Sequence, residues 1–219
     1  ADLALEVDPN PLQYGNVRLG TSKDETAHAR NTGSGDGLTG TYEAATGDYS
    51  GGPSGFGPLD GGTSDPGGQT YSYTPSDFGD DDDSVQVTSP DTDPVTLGLE
   101  GTGVGPIGNA PAMIDFGTVD AGMTDTAGLL LENLFDPMNC RDGFDCGVDL
   151  TGLTILDFEF GNGTQNGDYF EFVMGMDPQG DVIVALGDDT YTLMFLGAMS
   201  PGMYTDTLTL HTDQGTASG

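Results

Sequence analysis

The chain has 219 residues, with 36 Asp and Glu against four Lys and Arg, a formal charge of −32, 37 glycines, 13 prolines and no tryptophan. A polyanion of this kind repels nucleic-acid phosphates and anionic lipid, which disfavours both as partners. The acids fall 18 before and 18 after residue 105, so the charge coats the whole chain, and no apolar run reaches the length of a membrane span.

The predicted elements are strands throughout. Leu3, Leu5 and Val7 alternate with polar or small residues, and Pro9 and Pro11 separate that first strand from the body of its domain. A second strand runs over 12–17 and a third over 23–31. Residues 34–68 read as a loop-rich region punctuated by glycine and proline turns, in which Leu38, Tyr42, Tyr49, Phe56 and Leu59 pin short strands. Strands over 69–74, 84–88 and 95–99 complete the first half. After a short Gly- and Pro-containing linker at 104–110, the second half has strands over 114–119, 126–133, 153–160, 169–174, 182–186, 191–196 and 204–212. No stretch carries a sustained helical stripe.

An internal repeat organises these elements. The segment from Pro11 to Gly20 recurs from Met113 to Gly122 at a fixed offset of 102 residues. That offset aligns Leu12 with Ile114, Tyr14 with Phe116, Gly15 with Gly117, Val17 with Val119, Gly20 with Gly122 and Asn31 with Asn133. A period near 100 is the size of a sandwich domain rather than a solenoid repeat. The expected fold is all-β, two tandem immunoglobulin-like β-sandwiches. The first covers 1–103 with an extension strand at 1–7, and the second covers 111–219 with a cysteine loop at 137–148. The copies differ at their ends. The first closes with Val95, Leu97 and Leu99 followed by Gly101-Thr102-Gly103, whereas the second shows no closing strand and is predicted to be one strand short.

The openings Leu12-Gln-Tyr-Gly-Asn-Val-Arg-Leu-Gly and Ile114-Asp-Phe-Gly-Thr-Val-Asp-Ala-Gly resemble the start of bacterial choice-of-anchor D repeats. These are relatives of the abnormal-spindle/hydin immunoglobulin-like domains. Asn31-Thr32-Gly33 and the stretch from Leu97 to Gly103 are similar to two further motifs of that family. The second copy departs at both, with Asn133-Leu134-Phe135 and no closing motif. The resemblance implies an immunoglobulin-like sandwich of secreted or surface proteins and carries no catalytic residues.

Candidate chemistry is sparse. Cys140 and Cys146 are read as a disulfide, which places the chain in an oxidising extracellular or cell-surface setting. Zinc would need two further ligands, and His28 and His211 are the only histidines. Both histidines fall on strands with no nucleophile elbow nearby, so no enzyme is expected. Asp80, Asp81, Asp82 and Asp83 form a candidate calcium site at a turn, weighed against a solvated acidic turn. Asn162-Gly163-Thr164 is a candidate glycosylation sequon. Arg18, Lys23 and Arg30 cluster within 13 residues, either to orient a neighbouring subunit or to neutralise Asp24 and Glu25.

A sandwich short of a strand exposes an edge and a groove. The expected acceptor edge is the last predicted strand, with Leu208 and Leu210. The expected donor is residues 1–7 of another copy, through Leu3, Leu5 and Val7, weighed against pairing of that strand within its own domain and against closure by a further C-terminal segment of the same chain. Head-to-tail donation builds an open filament, so the leading expectation is a homopolymeric, non-enzymatic structural subunit. The alternative is a secreted adhesion module for a carbohydrate or surface ligand, calcium-dependent, although the absence of Trp weakens the carbohydrate case.

Overall fold

The computed structural model describes residues 2–165 and 167–218, with residues 215–218 as backbone only. The chain forms two compact units, Ala1–Val104 with Met138–Cys146, and Gly105–Pro137 with Gly147–Gly219. Each is an immunoglobulin-like β-sandwich.

In the first unit the strands are β1 (Leu5–Asp8), β2 (Leu12–Arg18), β3 (Lys23–Asn31), β4 (Leu38–Tyr42), β5 (Tyr49–Ser50), β6 (Ser54–Leu59), β7 (Gln69–Tyr73), β8 (Gly79–Ser89) and β9 (Thr92–Val104). They form sheets of order β1-β3-β7-β5 and β2-β9-β8-β4-β6. All pairings are antiparallel except β2 with β9, which run parallel from Leu12↔Leu99 to Arg18↔Val104. This order is that of an immunoglobulin sandwich in which the first strand divides between the two sheets. The core follows the two-residue period of strands. Tyr71 and Tyr73, Val85 and Val87, and Leu97 and Leu99 turn inward. Residues 34–68 carry β4, β5 and β6, held by the predicted anchors Leu38, Tyr42, Tyr49, Phe56 and Leu59, all buried.

Tyr14, Tyr42, Tyr49, Tyr71 and Tyr73 fill that core, so its polar tips need partners. Tyr14 donates to the Tyr71 carbonyl at 3.0 Å and Tyr71 to that of Glu43 at 2.7 Å. Tyr49 donates to the Asp81 carbonyl. The Tyr42 hydroxyl accepts from the Ala29 amide at 2.6 Å and donates to Asp65 at 3.2 Å. Tyr73 alone among the described residues keeps a buried side-chain polar atom without a hydrogen bond.

The second unit contains β10 (Gly108–Asn109), β11 (Asp125–Asn133), β12 (Leu153–Phe160), β13 (Phe170–Phe172), β14 (Val182–Ile183), β15 (Asp188–Phe195), β16 (Leu208–Thr212) and β17 (Gly215–Ser218). Its sheets are β10-β11-β15-β13 and β14-β12-β16-β17. A core of Leu129, Leu131, Ile155, Phe158, Tyr191 and Leu193, among others, lies between them. The final strand predicted to be missing is present in part. β17 pairs with β16 from Thr212↔Gly215 to Thr209↔Ser218, in the place β9 takes beside β8.

The repeat's buried asparagines have one job in both units. Asn31 donates to the carbonyls of Gly35 and Leu59 and accepts from the amides of Ala4 and Gly33. Asn133 donates to the carbonyls of Thr151 and Ile183 and accepts from the amides of Ile107 and Phe135. Each satisfies four backbone groups at the end of its strand, where the ladder can no longer do so.

The cysteine loop departs from its expected place in the second domain, because Met138–Cys146 packs as part of the first unit. The reason lies in Arg141 and Asn16. The guanidinium of Arg141 bonds Asp82 at 2.6 Å, Glu100 at 3.1 Å and Thr102 Oγ1 at 3.1 Å. Asn16 accepts from the Arg141 amide at 2.7 Å and donates to the carbonyls of Arg141 and Asp145. Phe144 lies against Gly15, where a Cβ would clash with its ring. Burial alone would lower the Arg141 pKa, but the Asp82 hydrogen bond and the nearby carboxylates more than offset this and raise it. Cys140 and Cys146 are joined in a disulfide that closes this loop.

Candidate interaction groove

The two copies of the repeat end in different states. In the first unit β2 is sealed between the sandwich and the second half of β9, leaving Leu12 and Tyr14 0% and Val17 4% exposed. Their counterparts Ile114, Phe116 and Val119 are only half-buried, and residues 114–119, predicted as a strand, form none. The cause is the missing neighbour. β17 reaches only to Ser218 opposite Thr209, so nothing among the described residues stands where residues 99–104 stand in the first unit.

The local conformation of the repeat survives without its partner strand. Gly15 and Gly117 share φ of 67°, and Gly20 and Gly122 have φ of 78° and 77°, the left-handed region that glycine tolerates best. The turn hydrogen bond from the Thr21 amide to the Arg18 carbonyl, 3.0 Å, is matched by Met123 to Asp120 at 2.9 Å. Ladder bonds are what differ. The Leu19 amide reaches the Val104 carbonyl at 2.9 Å. Among the described residues, the only bond made by the backbone of residues 114–119 runs from the Gly117 amide to Asp115 Oδ1, at 2.7 Å.

The result is a cavity of about 930 Å³ in the second unit, walled by this segment and floored by Phe170, Leu193, Phe195, Leu208 and Leu210. Phe116 tilts over that floor, with ring centroids 5.4 Å from Phe170 and 6.4 Å from Phe195. Met113 and Met203 stand at the lining, 79% and 91% exposed. Thioether side chains adapt to many partner shapes, and an exposed apolar cluster of this kind marks an interaction surface.

Of the predicted site residues, Leu208 and Leu210 belong to this cavity. The edge of β16 itself is covered by β17 from Thr209 to Thr212, so the opening lies past Leu208. The predicted donor segment is engaged within its own sandwich. Residue 1 lies outside the described residues, and β1 pairs with β3 of its own sandwich from Leu5↔Asn31 to Asp8↔His28. Val7 is buried there and Leu3 and Leu5 pack on the same core, and an intramolecular ladder of this kind costs only the closure of one loop.

Asp80, Asp81, Asp82 and Asp83 lie inside β8 rather than at a turn. Strand alternation splits them. Asp80 and Asp82 face Arg141 at 3.7 and 2.6 Å. The Asp81 carboxyl is held above its ordinary range by burial and then by Asp48, whose own pKa is lowered by the Ser76 amide. No group of three or more potential ligands able to hold a metal occurs among the described residues. Asn162 is exposed in a turn whose Thr164 donates to it from amide and hydroxyl, at 3.0 and 2.9 Å. Lys23 pairs with Glu25 at 3.3 Å and donates to the Tyr14 carbonyl at 2.7 Å, which makes it a local neutraliser. Sequence reasoning missed Asn31 and Asn133 as hubs and Arg141 as an anchor. The shared asparagine of the repeat and the lone cation of the cysteine loop were the available signals.

No family model and no curated protein matches the chain. Among solved structures, a protein of unknown function from Porphyromonas gingivalis W83 is 14% identical over 98% of this chain and 97% of its own, with a TM-score of 0.37. The titin domains I67–I69 are 12% identical over 100% of this chain and 64% of theirs, TM-score 0.38. The tandem immunoglobulin repeats of Dlar are 12% identical over 100% and 94%, TM-score 0.30. Likenesses this distant carry no function across, and the immunoglobulin-like assignment stands on strand order and pairing.

Proposed function

We propose that this chain is a non-enzymatic structural subunit of an extracellular or cell-surface assembly, of choice-of-anchor D type, whose second sandwich offers an open groove to an added β strand. One observation carries the reading. Leu12, Tyr14 and Val17 are sealed by a strand in the first unit, while Ile114, Phe116 and Val119 line an open groove in the second. Proteins cover such edges, and strand addition is the way one chain covers another's. The disulfide supports an oxidising compartment. Head-to-tail donation by Leu3, Leu5 and Val7 would require the β1–β3 ladder to open.

The test is the assembly state of the full chain taken from its producing cells, by sedimentation and negative-stain microscopy. Particles or filaments larger than one chain are expected. A uniformly monomeric species, with Phe116 open to solvent probes, would sink the reading. Adhesion to a protein ligand is the second reading, favoured by the exposed methionines at the groove.

A further inference from the structure

Of the four Lys and Arg in the chain, Arg18 ends β2 and Lys23 and Arg30 lie in β3, so Arg141 is the one that stands off the strands. It follows Cys140 directly, inside the loop that the disulfide to Cys146 closes. A trypsin-like protease cuts after Lys or Arg and needs that side chain free to enter its pocket. The seated loop withholds it.

Asn16 is the fastener. Its Nδ2 donates to the carbonyls of Arg141 and Asp145, at 3.3 and 3.1 Å, and its Oδ1 accepts from the Arg141 amide at 2.7 Å. Those two carbonyls belong to the residues just inside Cys140 and Cys146. One amide group therefore grips both ends of the loop, and the disulfide makes this possible by keeping the two cysteine Cα atoms 6.3 Å apart. The guanidinium is taken up by Asp82, Glu100 and Thr102 and stays only 16% exposed. Beneath the loop, Asn16 and Thr102 are buried. The cysteines themselves are half-buried, and Asp142, Gly143 and Asp145 are exposed. A small thiol can thus approach the sulfurs while a protease is denied Arg141.

We infer that the disulfide is a redox lock on the Arg141–Asp142 peptide bond. Oxidised, the loop stays on the first unit and the bond resists trypsin-like proteases. Reduced, the loop lifts away and the bond is cut. In the reduction a thiolate attacks one cysteine sulfur and forms a mixed disulfide, and the other cysteine leaves as a thiolate and takes up a proton. A second thiol then displaces the first cysteine. Cys140 and Cys146 together gain two electrons and two protons, and the reductant leaves as its own disulfide. Hydrolysis adds one water across the Arg141–Asp142 bond, after which residues 1–141 and 142–219 share no covalent link. Reduction gives the released loop the freedom that ring closure withheld, about thirtyfold in the open population for a ring this small. Cleavage follows that population as long as reclosing is fast.

The experiment digests the full chain with trypsin and follows fragments 1–141 and 142–219 by mass. One sample is oxidised. A second is reduced with dithiothreitol, capped with iodoacetamide and freed of both reagents, so that the protease keeps its own disulfides. A third carries Cys140→Ser and Cys146→Ser, which opens the ring without a bulky cap. The second and third are expected to be cut after Arg141 about thirtyfold faster than the first, with cutting at Arg18, Lys23 and Arg30 unchanged. Asn16→Ala in the oxidised chain should speed the same cut about tenfold, from the loss of its bonds to the loop. Circular dichroism and the melting curve report whether each sample is folded. If the serine variant does not fold, the capped chain and Asn16→Ala decide. Equal rates at Arg141 with and without the disulfide overturn the inference. A rise at all four basic sites overturns it as well, because the disulfide would then serve the stability of the whole unit. So does a bond that trypsin leaves intact even in the urea-unfolded chain, since nothing would then be locked.

Discussion

Asn31 and Asn133 show how much a single side chain can carry when the backbone has no other recourse. Each is 0% exposed and makes four hydrogen bonds to main-chain groups. Removing it strands buried donors and acceptors, so Asn31→Ala and Asn133→Ala are each expected to cost about 2–4 kcal/mol. Urea denaturation read by circular dichroism checks this, and a loss below about 1 kcal/mol would show that water replaces the side chain. The five core tyrosines make a second prediction. Burial raises the pKa of all five, that of Tyr71 to about 12 from an ordinary 10.0. Above pH ~10 the unfolded chain loses phenolic protons that the folded chain retains. Stability is therefore intact below that pH and falls by about 1.4 kcal/mol per pH unit for each tyrosine, until the folded hydroxyls ionise in turn. Unfolding at alkaline pH should bring a step of phenolate absorbance, and a pH-independent midpoint would contradict the burial.

At the scale of elements, the cysteine loop and the closing strands decide how each sandwich is finished. The loop Met138–Cys146 is held to the first unit by Arg141, whose side chain is 16% exposed beside Asp80, Asp82 and Glu100. Arg141→Ala is expected to lower stability by about 1–2 kcal/mol, since the partner carboxylates can still reach solvent. Replacing both cysteines by Ser is expected to remove about 2 kcal/mol, from the closure entropy of so short a loop. The triple variant should lose less than the sum, because both devices hold one segment, and full additivity in urea melts would argue against that. Strand positions were largely legible in the sequence, because alternation such as Tyr71/Tyr73 and Leu97/Leu99 reports a face directly. Residues 114–119 carry the same pattern as 12–17 and still form no strand, since pairing depends on a neighbour that local sequence does not encode. The four aspartates read as a turn for the converse reason. Their charge suggests solvent, while a ladder with β9 and the Arg141 guanidinium hold them in β8.

For the whole molecule the governing quantity is a charge of −32 with four basic side chains. Self-repulsion of that size opposes the compact state and is relieved by screening. Raising NaCl from about 0.01 M to about 1 M, where the Debye length falls to about 3 Å, is expected to raise the melting temperature by roughly 5 °C or more. Differential scanning calorimetry reads this directly, and a flat response would mean that repulsion among the acids contributes little to stability. The same repulsion selects partners. Any chain approaching the second unit must be neutral or basic locally, or must meet it in salt. The matched glycine φ values on the two sides of the repeat bear on how such an encounter proceeds. Residues 114–119 already hold the bend that their counterparts adopt beside β9, so a strand that paired with them would order mainly itself. Association should then be limited by diffusion and orientation, with the lifetime of the complex set by how well the incoming side chains fill the space above the phenylalanines.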